Sequence, residues 1–446
     1  MRRFFAFTCA LLSVTVLYAV IRIPLGQRFA GEFAPAFFGE RNAASRASKA
    51  MTSDAPDAHD ALLQGETFAE LALSTDNPSE IPIKDAEIHA FAQSLQEAVM
   101  NADIEATIDH FHWEKFIDLR DGEDHDGLSL RTRARIAREA NSEKAGPMRE
   151  IVHDITAGGG LRFLRIVGEG TSRRPFFRLH RVNGTFEYYE WFLCRGPERV
   201  LAFDIYIYSF GERYSQVLRR LATLFKPVTT PDEQREQTQL SDYSRLMTAI
   251  RSGEAGDGDA VLALELYQKL PVASRRNISL MRGWVELSTW AGGDAAEKAL
   301  HEFQNAFPTF PTMPMLEVSV FSQLDDHART HAAIDRVDRL VGGDPYLQVV
   351  HSRVYSTSGK PDLARSSAEA AIEAESDSLP AYLELLRISL DVHDYARAAD
   401  FLTFLRDEFN EDTDELIKQE VFQGFLQSPE YAAWKKASAE DSTMDR

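Results

Sequence analysis

From Lys84 onward the chain moves between two hydrophobic rhythms, and the change of rhythm predicts its architecture. Ile88, Phe91, Leu95, Val99 and Ala102 recur at three- and four-residue spacing, the signature of an amphipathic helix. Ile104, Ile108, Phe111, Phe116 and Ile117 predict a second helix and residues 128–140 a third. The period then falls to two. Residues 161–167, 176–182, 186–193 and 200–209 are rich in aromatic and β-branched side chains and read as strands. Gly168-Glu169-Gly170, Asn183-Gly184 and Arg195-Gly196-Pro197 separate them. Asn-Gly between two such runs signals a tight hairpin, because both central residues need positive φ. A last helix is predicted over 211–224. Helices followed by an antiparallel meander predict an α+β domain over 84–226. Lys226 to Pro231 reads as a linker, and beyond it the pattern is almost entirely helical.

The N-terminus has a different character. Arg2 and Arg3 precede an uncharged run from residue 4 to residue 21. As a helix this run nearly spans the hydrocarbon core of a bilayer. Residues 1–26 therefore read as a membrane anchor or signal segment. The length of the run and the weak small-residue exit near Ala30 favour an uncleaved transmembrane helix over a cleaved signal. Cys9 follows Phe7-Thr8 very early in the chain and is a poor lipidation site. Residues 27–82, rich in Ala, Ser, Asp and Pro, read as a flexible linker. The soluble part is expected to be exported, periplasmic or extracellular. Arg22, Arg28, Arg41, Arg46 and Lys49 argue for the alternative, a cytoplasmic soluble part; secretion after signal cleavage is the third option.

The C-terminal half repeats itself. Segments beginning at Asp259, Asp294, Asp326, Lys360 and Asp394 each look like the start of a second hairpin helix. Their spacing clusters around the 34 residues typical of helical-hairpin repeats. Gly258, Gly293 and Gly359 fall at the turns, where a left-handed residue ends the first helix. Ala263, Ala364 and Ala398 fall where two helices approach closest; Thr330 takes that place in the third unit and Ala299, displaced by one, in the second. Phe321 and Tyr355 are 34 apart on first helices, Tyr382 and Leu385 fill the core of the last one, and Leu386 replaces the usual small residue. Pro311 and Pro314 interrupt the third unit. These features resemble the tetratricopeptide repeat family over 240–415, with a capping helix over 416–437 bearing Phe422, Phe425, Tyr431 and Trp434 and a disordered tail after it. The fold class is thus multi-domain: an N-terminal transmembrane helix, an α+β domain with an antiparallel sheet, and a C-terminal all-α helical-hairpin solenoid. The resemblance implies a concave face that docks a protein or peptide. Arg353 and Arg387, 34 apart, would line it with Tyr346, a basic ladder suited to an acidic peptide or a carboxylate. The alternative pairs each arginine with a neighbouring glutamate.

Charge and chemistry narrow the picture. The chain has 49 basic and 69 acidic residues, a net charge of -20, which disfavours nucleic acid as a partner. The one basic cluster, Arg131, Arg133, Arg135 and Arg138, spreads around a helix. Its two cysteines, Cys9 and Cys194, leave one thiol in the soluble part and no paired-cysteine zinc site. His110, His112 and Glu114 cannot converge on one ion from a helix, and Asp121, Glu123, Asp124 and Asp126 fail the calcium-loop pattern. Gly158-Gly159-Gly160 lacks the Lys-Ser/Thr of a phosphate loop. No cofactor or metal is expected. The α+β region is similar in architecture to the nuclear-transport-factor-2-like (cystatin-like) superfamily, which holds both pocket enzymes and binding modules. Tyr188 and Glu190 on one predicted strand and Asp204 and Tyr206 on the next would share a face, forming a pocket for a small ligand or for proton transfer. The sequence favours a non-enzymatic, membrane-anchored interaction scaffold; the alternative is a small-ligand-binding or proton-transfer enzyme using that pocket.

Overall fold

The computed structural model describes residues 82–121, 130–131, 134, 137–138, 147–181, 184–224, 230–252, 259–291 and 293–444. The proposed membrane segment and linker, Cys9, the acidic loop after Asp121, Arg133, Arg135, Gly258 and most of the 226–231 linker lie outside them. Among the described residues no helix is long and apolar enough to cross a membrane. Two compact units divide the chain, one ending at Met313 and the other beginning at Pro314.

The first unit opens with α1 (Asp85–Met100), α2 (Ile104–Asp109), α3 (Trp113–Asp121) and α4 (Pro147–Thr156). The apolar stripe predicted for α1 is its buried face: Ile88, Phe91, Leu95 and Val99. Ala102 lies beyond the helix end with φ 55°. The predicted second helix is two helices. Between them His112 N–H donates to the Ala202 carbonyl at 2.6 Å, and Ala202 N–H donates to the His110 carbonyl at 2.8 Å. The sheet competes for the backbone groups that would continue the helix. The His110 ring is held by the fold: its Nδ1 lies 2.7 Å from the Ala106 carbonyl and its Nε2 3.0 Å from Ser94 Oγ. Residues 130, 131, 134, 137 and 138 are helical, as expected.

Five strands follow: β1 (Gly160–Val167), β2 (Arg174–His180), β3 (Phe186–Arg195), β4 (Val200–Ile207) and β5 (Glu212–Arg213). They form an antiparallel meander in chain order. The β2–β3 hairpin turns at Gly184, with φ 83°. β2 ends two residues earlier than predicted, because Arg181 N–H already donates to the Thr185 carbonyl in the turn, while β3 starts at Phe186 as expected. α5 (Tyr214–Leu224) starts three residues late, since β5 takes up Glu212 and Arg213. One sheet face carries Leu161, Phe177, Leu179, Tyr189, Trp191, Leu193, Ala202, Ile205 and Ile207 into the core formed with the helices. Each fully buried side chain of this size contributes roughly 1.5–3 kcal/mol. The outer edge of β1 is closed by α1: Gln96 Oε1 accepts from Phe163 N–H at 2.6 Å, which blunts pairing with a foreign strand.

The register skips one residue between Phe192 and Leu193 on β3: Phe192 faces Asp204, but Leu193 faces Ala202. Phe203 is the extra residue of this β-bulge. Ala202 consequently points into the core while Asp204, two residues on, points to the opposite face. Without the bulge both would share a face.

The same unit continues with α6 (Pro231–Ser252), α7 (Asp259–Lys269), one turn (Val272–Arg275), α8 (Ile278–Ala291) and α9 (Gly293–Ala306). Leu240, Tyr243, Ala263, Tyr267, Leu280 and Leu287 extend the apolar cluster of the sheet. Tyr267 and Trp284 stack at 5.2 Å. Arg282 of α8 pairs with Glu286, donates to the Ser209 carbonyl and lies 4.9 Å from the centre of the Phe210 ring.

The second unit is helical: α10 (Met313–Gln323), α11 (His327–Val341), α12 (Tyr346–Thr357), α13 (Pro361–Ala374), α14 (Leu379–Asp391), α15 (Tyr395–Phe409) and α16 (Pro429–Met444), with single turns at Thr413–Leu416 and Gln423–Leu426. From α11 to α16 successive helices pack on one another, and α12 also packs on α14. Asp326 and Asp394 cap α11 and α15 by accepting from Arg329 N–H at 2.9 Å and Arg397 N–H at 3.3 Å. The chain end is not the single capping helix expected. Phe422 sits in a separate turn, Phe425 in another, and Trp434 in α16. All three are buried in one cluster with Leu386, Leu390, Leu402 and Leu405. α16 also runs on to Met444, where a disordered tail was expected.

Candidate functional site

The four residues predicted to line a pocket do meet on one sheet face, the face turned from the main core. Phe176 faces Glu190 across β2–β3, and Glu190 faces Tyr206 across β3–β4. Tyr188, Glu190, Asp204 and Tyr206 are all buried. Their polar groups belong to two separate networks. Glu190 receives Arg174 Nε at 2.5 Å and the Tyr208 hydroxyl at 2.7 Å, one on each carboxylate oxygen. Around this pair the rings form a layer: Phe176 stacks on Tyr188 at 5.4 Å, and Tyr208 meets Tyr188 and Tyr206 edge to face. Burial, reinforced by the Glu190 charge, pushes the hydroxyls of Tyr206 and Tyr208 well above the usual tyrosine range.

Asp204 belongs to the second network. Its Oδ1 accepts from Ile205 N–H at 2.9 Å and Ser215 N–H at 3.1 Å, and its Oδ2 accepts from the Ser215 hydroxyl at 2.5 Å. Ser215 is the second residue of α5, so this carboxylate caps the first turn of that helix from a neighbouring strand and meets its positive end. Burial nevertheless pushes the Asp204 carboxyl up to about 6, with the Ser215 and Ile205 hydrogen bonds and the Arg213 charge opposing. The Arg213 guanidinium lies 4.1 Å from the centre of the Phe192 ring, a cation–π contact. Both carboxylates are thus occupied by groups of the fold itself. A buried charge needs such partners whether or not a ligand binds.

In the second unit the predicted ladder residues Arg353 and Arg387 stand on α12 and α14. They are not an open basic row. Both close on Glu384, whose side chain is only 3% exposed: Arg387 Nε donates at 3.2 Å, and Arg353 Nε lies 3.6 Å away. Arg387 also donates to Asp391 at 2.7 Å. Burial alone would raise the Glu384 carboxyl, but Arg387, Arg353 and the Ser352 hydroxyl outweigh it and hold it below the usual range. Tyr346 is buried, and its hydroxyl accepts from Arg353 at 3.3 Å. The alternative pairing with a neighbouring glutamate is what the geometry has. Its signal was present in the i, i+3 spacing of Glu384 and Arg387. Arg174 and Ser215 were missed because their partners, Glu190 and Asp204, stand on other elements.

The repeat register is sharper than its residues suggested. The helices α11, α13 and α15 begin at His327, Pro361 and Tyr395, each 34 residues after the last, and Asp259 and Gly293, the first described residues of α7 and α9, fall on the same interval. Asp325, Gly359 and His393, again 34 apart, precede α11, α13 and α15 with φ of 54°, 70° and 61°. Gly293 is not such a turn residue: it opens α9. Ala296, Thr330, Ala364 and Ala398 share the next register, and all are buried; in the first unit that register falls on the exposed Leu262, and Ala263, though buried, is one residue out of step. The small residue in register in the second unit is therefore Ala296, and Ala299 is a further buried alanine one turn on. Comparison with known protein families, with curated proteins and with solved structures finds no match for this chain.

Proposed function

We propose that the chain is a membrane-tethered interaction scaffold whose C-terminal helices are tetratricopeptide-like hairpins that dock a protein or peptide partner. The observation that supports this most is the 34-residue interval of the starts of α11, α13 and α15, shared by the three left-handed turn residues before them and by four buried small residues, Ala296, Thr330, Ala364 and Ala398. A fixed interval in start, turn and close-packing position is what stacked hairpins of one design need. The α+β domain supplies a second binding or dimerisation surface. The tether is the apolar segment at residues 4–21. Arg353 and Arg387 act as struts between α12 and α14 in this reading, and recognition falls to exposed neighbours such as Gln348. The rival reading, a proton-transfer enzyme, loses support because Glu190 and Asp204 serve an ion pair and a helix cap.

Photo-crosslinking in native cells tests the proposal on the full chain. A crosslinker replacing Gln348 on α12 is expected to give a discrete protein adduct, and one replacing Glu373 on α13 is not. Equal adducts from both positions, or none from either, would overturn the scaffold reading. Retention of the chain in the membrane fraction after alkaline extraction, lost on deleting residues 1–26, tests the tether separately.

A further inference from the structure

His331 on α11 and His351 on α12 aim their Nδ1 atoms at each other across 2.7 Å. The ring planes differ by 15° and the centroids stand 5.0 Å apart. The rings therefore lie edge to edge and nearly coplanar, the arrangement of an N–H···N hydrogen bond with one proton on the axis. The other nitrogen of His351, Nε2, lies 3.2 Å from Asp335 Oδ1. One neutral assignment satisfies both contacts: His351 carries its proton on Nε2, facing the carboxylate, and His331 carries its proton on Nδ1, donating to His351. His331 Nε2 is then a bare lone pair, buried and without a hydrogen-bond partner. Tyr355 closes over it, its ring 4.1 Å from that of His331.

We propose that Asp335, His351 and His331 form an acid-released latch joining α11 to α12. In the closed latch a single proton serves both Nδ1 atoms. A first added proton goes to His331 Nε2, which has no acceptor waiting for it. A second must go to His351 Nδ1, which sets two N–H groups face to face and places two cations in contact. The surrounding charges divide. Asp335 and Asp338 of α11 favour protonation of His351, while His327 of α11 and Lys360, before α13, oppose that of His331. On α14 the buried carboxylate of Glu384 is held by its two arginines. Burial decides the balance, holding both imidazoles below the usual histidine range and His331 at about 4. The opened form therefore binds protons more readily than the closed one. The latch is at full strength above about pH 6.5 and weakens as the pH falls towards about 4.

Hydrogen–deuterium exchange of the full chain at pH 7 and pH 5, corrected for intrinsic amide chemistry, tests the latch. Amides of α11 and α12 are expected to open about tenfold more often at pH 5, with those of α15 unchanged. The double variant His331→Phe, His351→Gln keeps a ring against Tyr355 and carries no titrating group there; its acid response is expected to disappear. Acid opening that persists in this variant, or is missing in the wild type, overturns the proposal. Nitrogen-15 spectra of the wild-type imidazoles give a check that does not depend on the variant folding. At pH 7 they should show His331 protonated on Nδ1 and His351 on Nε2. Two Nε2-protonated rings would overturn the latch equally.

Discussion

Arg353 and Arg387 lie 34 residues apart on neighbouring helices and close on one carboxylate, that of Glu384, buried between them. Removing that carboxylate strands two largely buried guanidinium groups. Glu384→Ala is expected to destabilise the helical unit by about 3–5 kcal/mol. Asp391→Asn, at the exposed end of the same network, is expected to cost no more than about 1 kcal/mol. Urea denaturation followed by circular dichroism separates the two; equal costs would mean that Glu384 is not the hub.

Asp204 makes the sheet unit sensitive to pH in the opposite sense to the histidine latch. Its carboxyl is raised in the fold to about 6, so the folded chain holds a proton that the unfolded chain has released. The stability it contributes is fully present below the unfolded value of about 4 and is lost as the pH rises to about 6. The loss is on the order of 2–3 kcal/mol for a fully buried group. Asp204→Asn should flatten this window and leave the unit as stable as the wild type, or more so, at pH 7. Denaturation midpoints at pH 4, 5, 6 and 7 check both statements.

Two left-handed glycines should respond differently to a side chain. Gly359, with φ 70°, has open space where a Cβ would stand, and Asp325 and His393 hold the same conformation in the units on either side. Gly359→Asn is expected to cost less than about 1 kcal/mol. At Gly211, with φ 64°, a Cβ would stand 2.7 Å from Phe310 Cε2 and 3.0 Å from Thr312 Oγ1. Gly211→Asn is expected to cost at least about 2 kcal/mol, because overpacking adds to the backbone strain. Thermal denaturation of the two variants side by side tests the contrast.

Leu386 stands where a smaller residue would fit the repeat pattern, yet it is fully buried among Leu390, Leu402 and Phe422. Leu386→Ala is therefore expected to open a cavity and cost about 2–5 kcal/mol, not to improve the repeat. Ala364→Leu, at a close-packing position, is expected to cost about 1–3 kcal/mol by overpacking. A stabilised Leu386→Ala variant would show that the last hairpin packs otherwise.

The periodicity of the chain carried most of the elements. The α1 stripe from Ile88 to Val99, the four long strands and the starts of α11, α13 and α15 follow from apolar spacing and turn residues, which act locally. The errors fell where a distant group intervened. The helix expected across Phe111 breaks because the backbone of Ala202, far along the chain, takes its hydrogen bonds. The second repeat, set at Asp294, falls two residues late against the interval counted back from Asp326, because Gly293 looks like a turn residue and is instead helical. The candidate residues were legible as positions and not as partners. Asp204 and Tyr206 alternate visibly along β4, but that Asp204 reaches Ser215 depends on how α5 docks.

By itself the sequence determined the order of helices and strands, the 34-residue interval of the C-terminal half and the apolar run near its N-terminus, since each depends on residues that are neighbours along the chain. Only the tertiary structure decided what the ionisable side chains do. The bulge at Phe203 turns Asp204 away from the core that holds Ala202, and the packing of α12 on α14 converts an apparent basic ladder into a closed ion triad. The physical reason is that a buried charge takes its partner from whatever element packing brings within a few ångströms, and spacing along the chain does not record that choice.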